Sequence, residues 1–489
     1  MEKLYVGWQM STRWTDPTLV LFMLLPICIG WIWGTGYSLY YECYRMYLPV
    51  PSVIVYIIFQ LWMWDTEEVN TKKYIVFHDK ALEAKYGNRR YPMSELVDDF
   101  INSKVSFNKK VEKGDCWKIL QFHRQHFVSY KVGFRQIKWL LSQFIPPFLQ
   151  FNGLGYGNSS VKDKKHTKKE IAEHYDRGND FFNAFMGPTM VYTSGVFHGL
   201  HQTLEQAQFN KMQLICEKLQ LKENETFLDI GCGWGTLTRH AVKEFGAVGT
   251  GVTLSVEGKK WCDMKNDEEN VETEILCRDY RDIPKDRRFN KISSIEMAEH
   301  VGLANFVDPY LSGVHRLLED DGIFLMQVAG LRQGSNWEDV AWGLFMSRYI
   351  FPGADASTPL NWYIRQLEVS GFEVHSVETI GRHYSHTLHK WYDNWMSNKK
   401  KIMNNPKYGE SLFRLWEIFL AWSVIAAGQG SASCYQIACH KNKYDFPRDR
   451  WCESDTVSDN APTGVGISKK RSKTPAKKSK RSKTPKKKR

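Results

Sequence analysis

The chain has 489 residues, enough for two or three domains, and its 43% hydrophobic and 25% charged residues are typical of a globular protein. The net charge of +12 belongs to the C-terminus, because residues 469–489 hold 13 basic and no acidic residues, and subtracting these 13 charges leaves −1. Ten cysteines occur without a CxxC pair, which argues against a zinc site or a disulfide framework. The body of the chain is therefore not expected to bind nucleic acid, and a reducing, cytosol-facing enzyme fits the composition.

Two long uncharged segments near the N-terminus predict a membrane hairpin. Residues 17–41 and residues 46–64 contain no charged side chain. Each segment is long enough to cross about 30 Å of hydrocarbon at about 1.5 Å per residue. Aromatic residues at the segment ends suit the water interfaces, and basic residues flank the pair on both outer sides. We therefore predict two transmembrane helices within residues 1–70, followed by a cytosolic chain. A re-entrant or buried helical pair is the alternative.

Residues 71–165 are expected to form an amphipathic region next to the membrane. Within it, residues 117–149 interleave aromatic side chains with Lys, Arg and His and contain no Asp or Glu. Such a segment can lie on a lipid surface with its rings at headgroup depth. Helices that pack on a catalytic domain and expose a basic face would give the same pattern, so both interpretations stay open.

The segment TFLDIGCGWGTLTRHA, residues 226–241, is typical of a strand, a glycine turn and a helix. Gly231, Gly233 and Gly235 do not match the full dinucleotide fingerprint, and no acid follows the next strand at the position that would bind a ribose. Asp229 lies just before the glycines. A close backbone approach beside an acid suits S-adenosylmethionine, which carries an amino-acid head and a sulfonium cation. A tight turn without a ligand is the alternative.

Strand-like runs recur beyond the glycine turn, with helix-like segments between most of them. These runs lie at residues 247–255, 272–277, 291–295, 323–329 and 435–440. The alternation of strands and helices predicts an α/β fold with a doubly wound sheet.

Seven motifs in a fixed order resemble the cyclopropane-fatty-acyl-phospholipid synthase family. They are HYDRGNDFF, MVYTSGVF, LDIGCGWG, GVTLS, RDYRD, EMAEHVG and HYSHTLHKWYDNW. With the two predicted spans, the chain is most similar to the sphingolipid C9-methyltransferases. The resemblance implies a Rossmann-like S-adenosylmethionine-dependent methyltransferase domain at residues 166–445, preceded by two transmembrane helices.

The resemblance also implies a reaction: methyl transfer from S-adenosylmethionine to C9 of the Δ8 double bond of a sphingoid base in ceramide or glucosylceramide. The alternative substrate is an unsaturated phospholipid acyl chain, on which a cyclopropane ring or a methyl branch would form. A third class of function is a membrane-tethered module that binds RNA or acidic proteins through its basic tail, with an inactive methyltransferase fold.

Individual residues receive roles from the same resemblance. Glu299 and Tyr384 match an acid and a tyrosine that help to hold a bicarbonate ion beside the reacting carbon. Two positions depart from the family, because Ser194 replaces its cysteine and Gln327 its histidine. Both side chains still donate hydrogen bonds to anions, so bicarbonate stays a candidate without being assured. The residues implied to bind S-adenosylmethionine are Tyr192, Thr193, Asp229, Gly231, Gly233, Gly235, Thr253, Leu254, Asp279 and Tyr280.

The chemistry explains why such a site is needed. An isolated alkene is a poor nucleophile, and methylation moves the positive charge of the donor onto a chain carbon. Negative potential and aromatic faces stabilise that cation, and Glu299 can supply the negative potential. Loss of a proton from the new methyl group closes a ring, whereas loss from C9 restores the double bond beside a branch. Our hypothesis is that Ser194 and Gln327 belong to the branch-forming outcome, because they lie where the base should be held.

Two further groups of residues near Tyr384 have competing interpretations. Three neighbouring histidines invite a metal site, but methyl transfer needs no metal and no HExxH pattern occurs, so we expect none. Trp391, Tyr392 and Trp395 follow at helical spacing, which suits either core packing or the lining of a lipid tunnel.

The tail, residues 446–489, is rich in Ser, Thr, Pro and Lys, and we expect it to be disordered. Lysines stand third and fourth from the end, as in dilysine retrieval signals. We therefore expect a multi-pass protein of the endoplasmic reticulum membrane, or else the Golgi, with a cytosolic catalytic domain and a membrane lipid as its substrate. A nuclear-localisation arm and simple attraction to anionic lipid are alternative interpretations of the tail.

Overall fold

The computed structural model describes residues 68–130 and 177–449, except residues 335, 353 and 355–357. The predicted transmembrane segments at 17–41 and 46–64, and the tail from residue 450, lie outside the described residues. Among the described residues, one helix, Gly409–Gly428, has the length and hydropathy of a membrane span, and 72% of its apolar window is buried. Trp416 and Trp422 of this helix lie in the protein core.

The first described region, residues 68–130, is a small α/β unit. Its elements are β1 (Ile75–Phe77), α1 (Lys80–Tyr86), β2 (Tyr91–Pro92), α2 (Met93–Ile101), β3 (Val105–Phe107), α3 (Cys116–Phe127) and β4 (Val128–Ser129). Strands β1 and β3 pair antiparallel, whereas β2 and β4 pair parallel. Asp79 and Asp115 fix the starts of α1 and α3, because their carboxylates accept hydrogen bonds from first-turn N–H groups.

Helix α3 covers the start of the aromatic and basic segment at residues 117–149. Its buried apolar side chains, Ile119 among them, lie in one cluster with those of helix Gly409–Gly428. Arg124 Nε donates to Glu338 Oε1 at 3.0 Å. This part of the segment is therefore a helix packed on the larger domain, while residues 131–149 lie outside the described residues.

The second described region, residues 177–449, is built on a seven-stranded sheet. Its strands are β5 (Thr226–Ile230), β6 (Val248–Thr253), β7 (Glu274–Cys277), β8 (Phe289–Ile295), β9 (Leu318–Leu331), β10 (Phe372–Thr379) and β11 (Ala432–Lys441). The strand order is β10-β11-β9-β8-β5-β6-β7. The strands from β9 to β7 are parallel, and β11 is antiparallel to both of its neighbours. The predicted α/β class with a doubly wound sheet is confirmed.

All five predicted strand-like runs overlap a strand of this sheet, and only β10 is missing from the prediction. Strand β10 lies at the edge and pairs with β11 alone. Most of its side chains are half-buried or exposed. The sequence FEVHSVET therefore lacks the apolar run that marks a central parallel strand.

Helices cover both faces of the sheet. They are α4 (Asn179–Met186), α5 (Leu204–Lys218), α6 (Thr236–Phe245), α7 (Val256–Glu269), α8 (Ser312–Leu317), α9 (Trp337–Phe345), α10 (Leu360–Val369), α11 (Gly381–Ser397), α12 (Lys399–Met403) and α13 (Gly409–Gly428). Successive side chains of a strand point to opposite faces. Accordingly, Phe227 packs with residues of α5 and α6, while Leu228 packs with residues of α8 and α10.

Helices α4, α11 and α13 form an aromatic cluster that also contains the core of the small α/β unit. The ring of Phe181 lies 5.4 Å from that of Trp395 and 4.8 Å from that of Trp416, both edge to face. Such pairs add to the stability gained from burial. The cluster therefore joins the small unit to the larger domain.

The topology indicates where a ligand should bind. From β5 the chain winds outward through β6 to β7, and it then returns to β8, on the other side of β5. Ligands of open α/β sheets bind at such a switch point, outside the carboxyl ends of the strands. The glycine turn that follows β5 lies at this position.

Candidate active site

The turn between β5 and α6 holds three glycines at positive φ. Gly231, Gly233 and Gly235 have φ values of 84°, 55° and 72°, a region that favours glycine because it lacks a Cβ. A Cβ on Gly231 would lie 2.5 Å from Met297 Cγ, and one on Gly235 would lie 2.7 Å from Cys262 Sγ. A Cβ on Gly233 would meet no described atom within 4 Å. Gly231 and Gly235 therefore serve close packing, whereas Gly233 borders open space.

That open space is a cavity, here called the donor cavity, at the carboxyl ends of β5, β6 and β8. Nine of the ten residues predicted to bind S-adenosylmethionine line it: Tyr192, Thr193, Asp229, Gly231, Gly233, Thr253, Leu254, Asp279 and Tyr280. Gly235 is not among the lining residues and instead stands at the start of helix α6.

Asp229 and Lys211 place opposite charges in the wall of the donor cavity. Asp229 is 3% exposed, and its Oδ1 accepts a hydrogen bond from Ser293 Oγ at 2.7 Å. Burial raises the pKa of Asp229 to about 6, although Ser293 and the charge of Lys211 oppose this shift. Lys211 Nζ donates to Thr193 Oγ1 at 2.7 Å, and burial lowers the pKa of Lys211 to about 8. The sequence prediction misses Lys211, because a lysine within a polar helix usually indicates a solvated face.

Asp279 faces the donor cavity as one half of an ion pair. Its two carboxylate oxygens accept hydrogen bonds from Arg281 Nε and Nη2 at 2.7 and 2.6 Å. The backbone N–H of Arg281 donates to the same carboxylate at 2.9 Å. The position of Asp279 is therefore fixed by its neighbour and does not depend on a ligand.

A second cavity, here called the apolar cavity, contains Glu299 and Tyr384 in its wall. Glu299 Oε1 accepts a hydrogen bond from Ala329 N at 2.6 Å, and the residue is 6% exposed. Burial raises the pKa of Tyr384 well above its usual range. The apolar residues that line this cavity include Trp342, Met346, Phe351, Leu388, Trp391 and Phe419.

The aromatic residues of α11 include one that lines a cavity and two that pack in the core. Trp391 lines the apolar cavity. Tyr392 and Trp395 are buried and are not lining residues of either cavity. His383 Nδ1 accepts a hydrogen bond from Phe197 N at 3.1 Å. Among the described residues, no group of three or more His, Cys, Asp or Glu side chains could hold a metal ion.

The donor cavity and the apolar cavity are adjacent, because Tyr192, Glu296 and His300 line both. The ring of Tyr192 lies 5.4 Å from that of Trp391. Glu296 follows the last residue of β8, and His300 ends the short 3-10 helix that comes next. These three residues therefore belong to the wall that the two cavities share.

Ser194 and Gln327 are not lining residues of either cavity but both hydrogen-bond to Glu296. Ser194 N donates to Glu296 Oε1 at 2.9 Å, and Gln327 Nε2 donates to the same oxygen at 2.7 Å. The thiol of Cys434 donates to it as well, at 3.5 Å. The hydroxyl of Ser194 instead donates to Gly195 O at 3.1 Å. The structure therefore places Ser194 and Gln327 behind Glu296, and only the backbone of Ser194 reaches that carboxylate.

Glu296, like Lys211, is a site residue that sequence analysis missed. The motif EMAEHVG holds two acids three positions apart, and the resemblance assigned a role only to the second, Glu299. Glu296 has φ 49°, a left-handed backbone conformation that is strained for residues other than glycine. Strained residues of this kind concentrate at functional sites. The unused acid of the motif was the available signal.

A doubly wound sheet with one antiparallel strand and a ligand cavity at its first glycine turn defines the class of S-adenosylmethionine-dependent methyltransferases. The mycolic acid cyclopropane synthetase family model matches residues 162–437. "Sphingolipid C9-methyltransferase 2" of Gibberella zeae is 42% identical over 376 residues, which cover 76% of this chain and 68% of the relative. The chain therefore belongs to the mycolic acid cyclopropane synthetase family, and within it to the sphingolipid C9-methyltransferases.

Two further comparisons agree with this assignment. The sphingolipid C9-methyltransferase of Komagataella phaffii is 42% identical over 391 residues, covering 77% of this chain and 75% of the relative. The crystal structure of the mycolic acid cyclopropane synthase CmaA1, complexed with SAH and CTAB, superposes with a TM-score of 0.53 at 26% identity. That match covers 58% of this chain and 100% of the synthase.

S-adenosylmethionine is the cofactor, and the donor cavity fits it. The open side of Gly233 allows a ligand to approach the backbone, and the buried carboxylate of Asp229 suits a ligand that carries positive charge. The lining residues at the carboxyl ends of β6 and β7, among them Thr253 and Tyr280, extend the cavity away from that turn.

Proposed function

We propose that the protein transfers a methyl group from S-adenosylmethionine to C9 of the Δ8 double bond of a sphingoid base in ceramide or glucosylceramide. The observation that carries the proposal is the adjacency of the two cavities, one lined by the glycine turn and Asp229, the other lined largely by aromatic and aliphatic side chains. The identity with sphingolipid C9-methyltransferases supports the same substrate. A methyl donor on one side of Tyr192 and a lipid chain on the other would meet at that wall.

Bound S-adenosylmethionine supplies an electrophilic methyl group on a sulfonium. Asp229 and the glycine turn would hold its methionine half, with Tyr192 and Thr193 closing over it. Thr253 and Leu254 would lie by the ribose, and Asp279 and Tyr280 by the adenine. Gly235 supports the turn through its packing against Cys262.

The apolar cavity would hold the sphingoid chain with its double bond toward the donor cavity. The rings of Tyr192 and Trp391 would face the cation that forms on the chain, because the faces of aromatic rings attract positive charge. Glu299 adds a carboxylate to the same wall and Tyr384 a hydroxyl. A bound lipid chain would exclude water from these groups, and electrostatic stabilisation is strongest where water is excluded.

The membrane location is part of the proposal. Residues 17–41 and 46–64 would form a hairpin that keeps the methyltransferase domain, residues 166–445, on the cytosolic face of the endoplasmic reticulum. Residues 71–165 would connect the two, and the basic tail from residue 446 would face the cytosol. Expression of a tagged full-length chain, followed by carbonate extraction and protease protection, tests this topology.

The reaction is tested by incubating the purified full-length protein with S-adenosylmethionine carrying a labelled methyl group and a Δ8-unsaturated glucosylceramide. We expect a product that gains one methyl branch and keeps its double bond by mass and proton spectra. The Asp229→Asn variant is the matched control for donor dependence. A cyclopropane signal, or labelling of an unsaturated phospholipid in place of the sphingolipid, would overturn the substrate and product assigned here.

A further inference from the structure

We propose that the Glu296 carboxylate is the general base that removes the proton from C9 after methyl transfer, so that the enzyme needs no bound bicarbonate. The inference deepens the proposed function and rests on it. It follows from three features of the structure: where Glu296 lies, what holds it, and which of its oxygens is engaged.

Glu296 is the acid that lines both cavities. Asp229 lines only the donor cavity, and Glu299 lines only the apolar cavity, among the described lining residues. A base for this reaction must reach the carbon that receives the methyl group, and that carbon must lie where donor and lipid chain meet. Of the carboxylates in the two walls, Glu296 is placed at that junction.

The carboxylate is held from behind in one orientation. Ser194 N, Gln327 Nε2 and Cys434 Sγ all donate to Oε1. None of these three donors engages Oε2. The first oxygen is therefore anchored, and in the proposed step Oε2 takes up the proton at the wall that both cavities share.

A buried chain of hydrogen bonds fixes the amide of Gln327. Lys218 Nζ can only donate, and it donates to Gln436 Oε1 at 2.6 Å. Gln436 must then donate through Nε2, which it does to Gln327 Oε1 at 2.9 Å. Gln327 is left with its own NH₂ group facing Glu296. Gln327 and Gln436 are opposite residues of β9 and β11 and are 0% and 1% exposed, so this relay is part of the sheet itself.

The backbone of Glu296 has a conformation that favours glycine, which indicates a functional role for its side chain. Its φ of 49° is a conformation that glycine adopts without strain. Burial also raises the pKa of Glu296, against the effect of its donors and of Lys211. A buried carboxylate on a strained backbone is unfavourable for folding, and backbone strain of this kind concentrates at functional sites.

The proposed step balances in atoms and electrons. The C9–methyl bond forms from the alkene electrons as the sulfur–methyl bond breaks, and sulfur keeps that electron pair. The adjacent carbon is left positive. Glu296 then takes the proton from C9, the C9–H electrons restore the double bond, and the carboxylate becomes a carboxylic acid that later releases the proton to water. Ser194 and Gln327 act in this step as positioning residues, because they hold the carboxylate of Glu296 and do not touch the substrate.

The test compares two variants of the full-length protein with wild type in buffers freed of carbon dioxide. Glu296→Gln keeps an oxygen that can accept from Ser194 and Gln327 but cannot take the proton. Glu296→Gly removes the side chain at a position where glycine is conformationally favoured, so this variant should fold. Glu417→Gln is the control, because Glu417 is also buried but lies in α13 and is not a lining residue of either cavity.

We expect wild type and Glu417→Gln to be fully active without bicarbonate, and Glu296→Gln to lose about 100-fold or more in turnover, the usual effect of removing a general base. Its affinity for S-adenosylmethionine, measured by calorimetry, should change less than about threefold, a small free-energy effect. Glu296→Gly should be equally slow. Added formate or bicarbonate should raise the turnover of this variant at least about tenfold, because a small anion can occupy the vacated space and accept the proton.

Three results would overturn the inference while leaving the proposed function intact: turnover of Glu296→Gln close to that of wild type, a bicarbonate requirement in wild type, or no rescue of Glu296→Gly by either anion. Absence of any methylated sphingolipid with wild type would instead refute the proposed function and the inference together. The two failures are thus distinguishable in one set of assays.

Discussion

The substitution Gly233→Ala tests whether the glycine turn holds S-adenosylmethionine. Gly233 has φ 55°, and a Cβ built on it would meet no described atom within 4 Å. Alanine in this conformation should cost about 1–2 kcal/mol of folding free energy, which lowers the melting temperature by a few degrees. The added methyl group would project into the donor cavity. We therefore expect the dissociation constant of S-adenosylmethionine to rise at least about tenfold, equivalent to about 1.4 kcal/mol.

The variant Gly430→Ala separates strain from obstruction. Gly430 also has positive φ, 76°, and open space around a built Cβ, but it is not a lining residue of either cavity. Both variants should therefore lose a similar amount of stability in thermal unfolding. Only Gly233→Ala should lose affinity in titration calorimetry with S-adenosylmethionine. If both variants bind the donor within about threefold of each other, a difference below 1 kcal/mol, the assignment of this turn is refuted.

Two further predictions concern the walls of the cavities. Asp229→Asn should weaken binding of S-adenosylmethionine at least about tenfold at pH 8, because a neutral amide loses the attraction for a cation. In wild type the affinity should fall as the pH drops through about 6 and Asp229 becomes protonated. Calorimetry at several pH values would contradict this reasoning if the affinity of Asp229→Asn depended on pH as steeply as that of wild type. Gly343→Leu should fill the apolar cavity, since Gly343 lines it and a Cβ there meets no described atom within 4 Å. We expect donor affinity to persist and product formation from glucosylceramide to fall at least about tenfold by loss of uniform lipid binding. Gly313→Leu is the control that should remain active, because Gly313 is a helical glycine with the same open space and is not a lining residue of either cavity.

The residues near the glycine turn could be predicted because the chain places them next to one another. The order strand, turn, helix fixes Asp229 and Gly233 at the carboxyl end of β5, and local periodicity is enough to find it. Lys211 and Glu296 could not be predicted in this way. Glu296 meets Ser194 and Cys434 across 102 and 138 positions of sequence, so these donors come together only in the folded domain. Local periodicity carries no signal for such contacts, although the first acid of the motif EMAEHVG could have marked Glu296 as a candidate.

The distribution of charge in the two walls explains why the site suits a cationic donor. Asp229, Glu296 and Glu299 are acids in the cavity walls, and Lys211 of α5 interacts electrostatically with Asp229 and Glu296. Burial raises the pKa values of Asp229 and Glu296, which reflects the cost of keeping carboxylates out of water. A bound sulfonium cation would favour their ionised forms, and so would the positive charge that methylation moves onto the lipid. Burial of these carboxylates is unfavourable while the site is empty. When donor and alkene are bound, the same carboxylates stabilise the positive charge of the transition state, because preorganised negative charge acts most strongly where water is excluded.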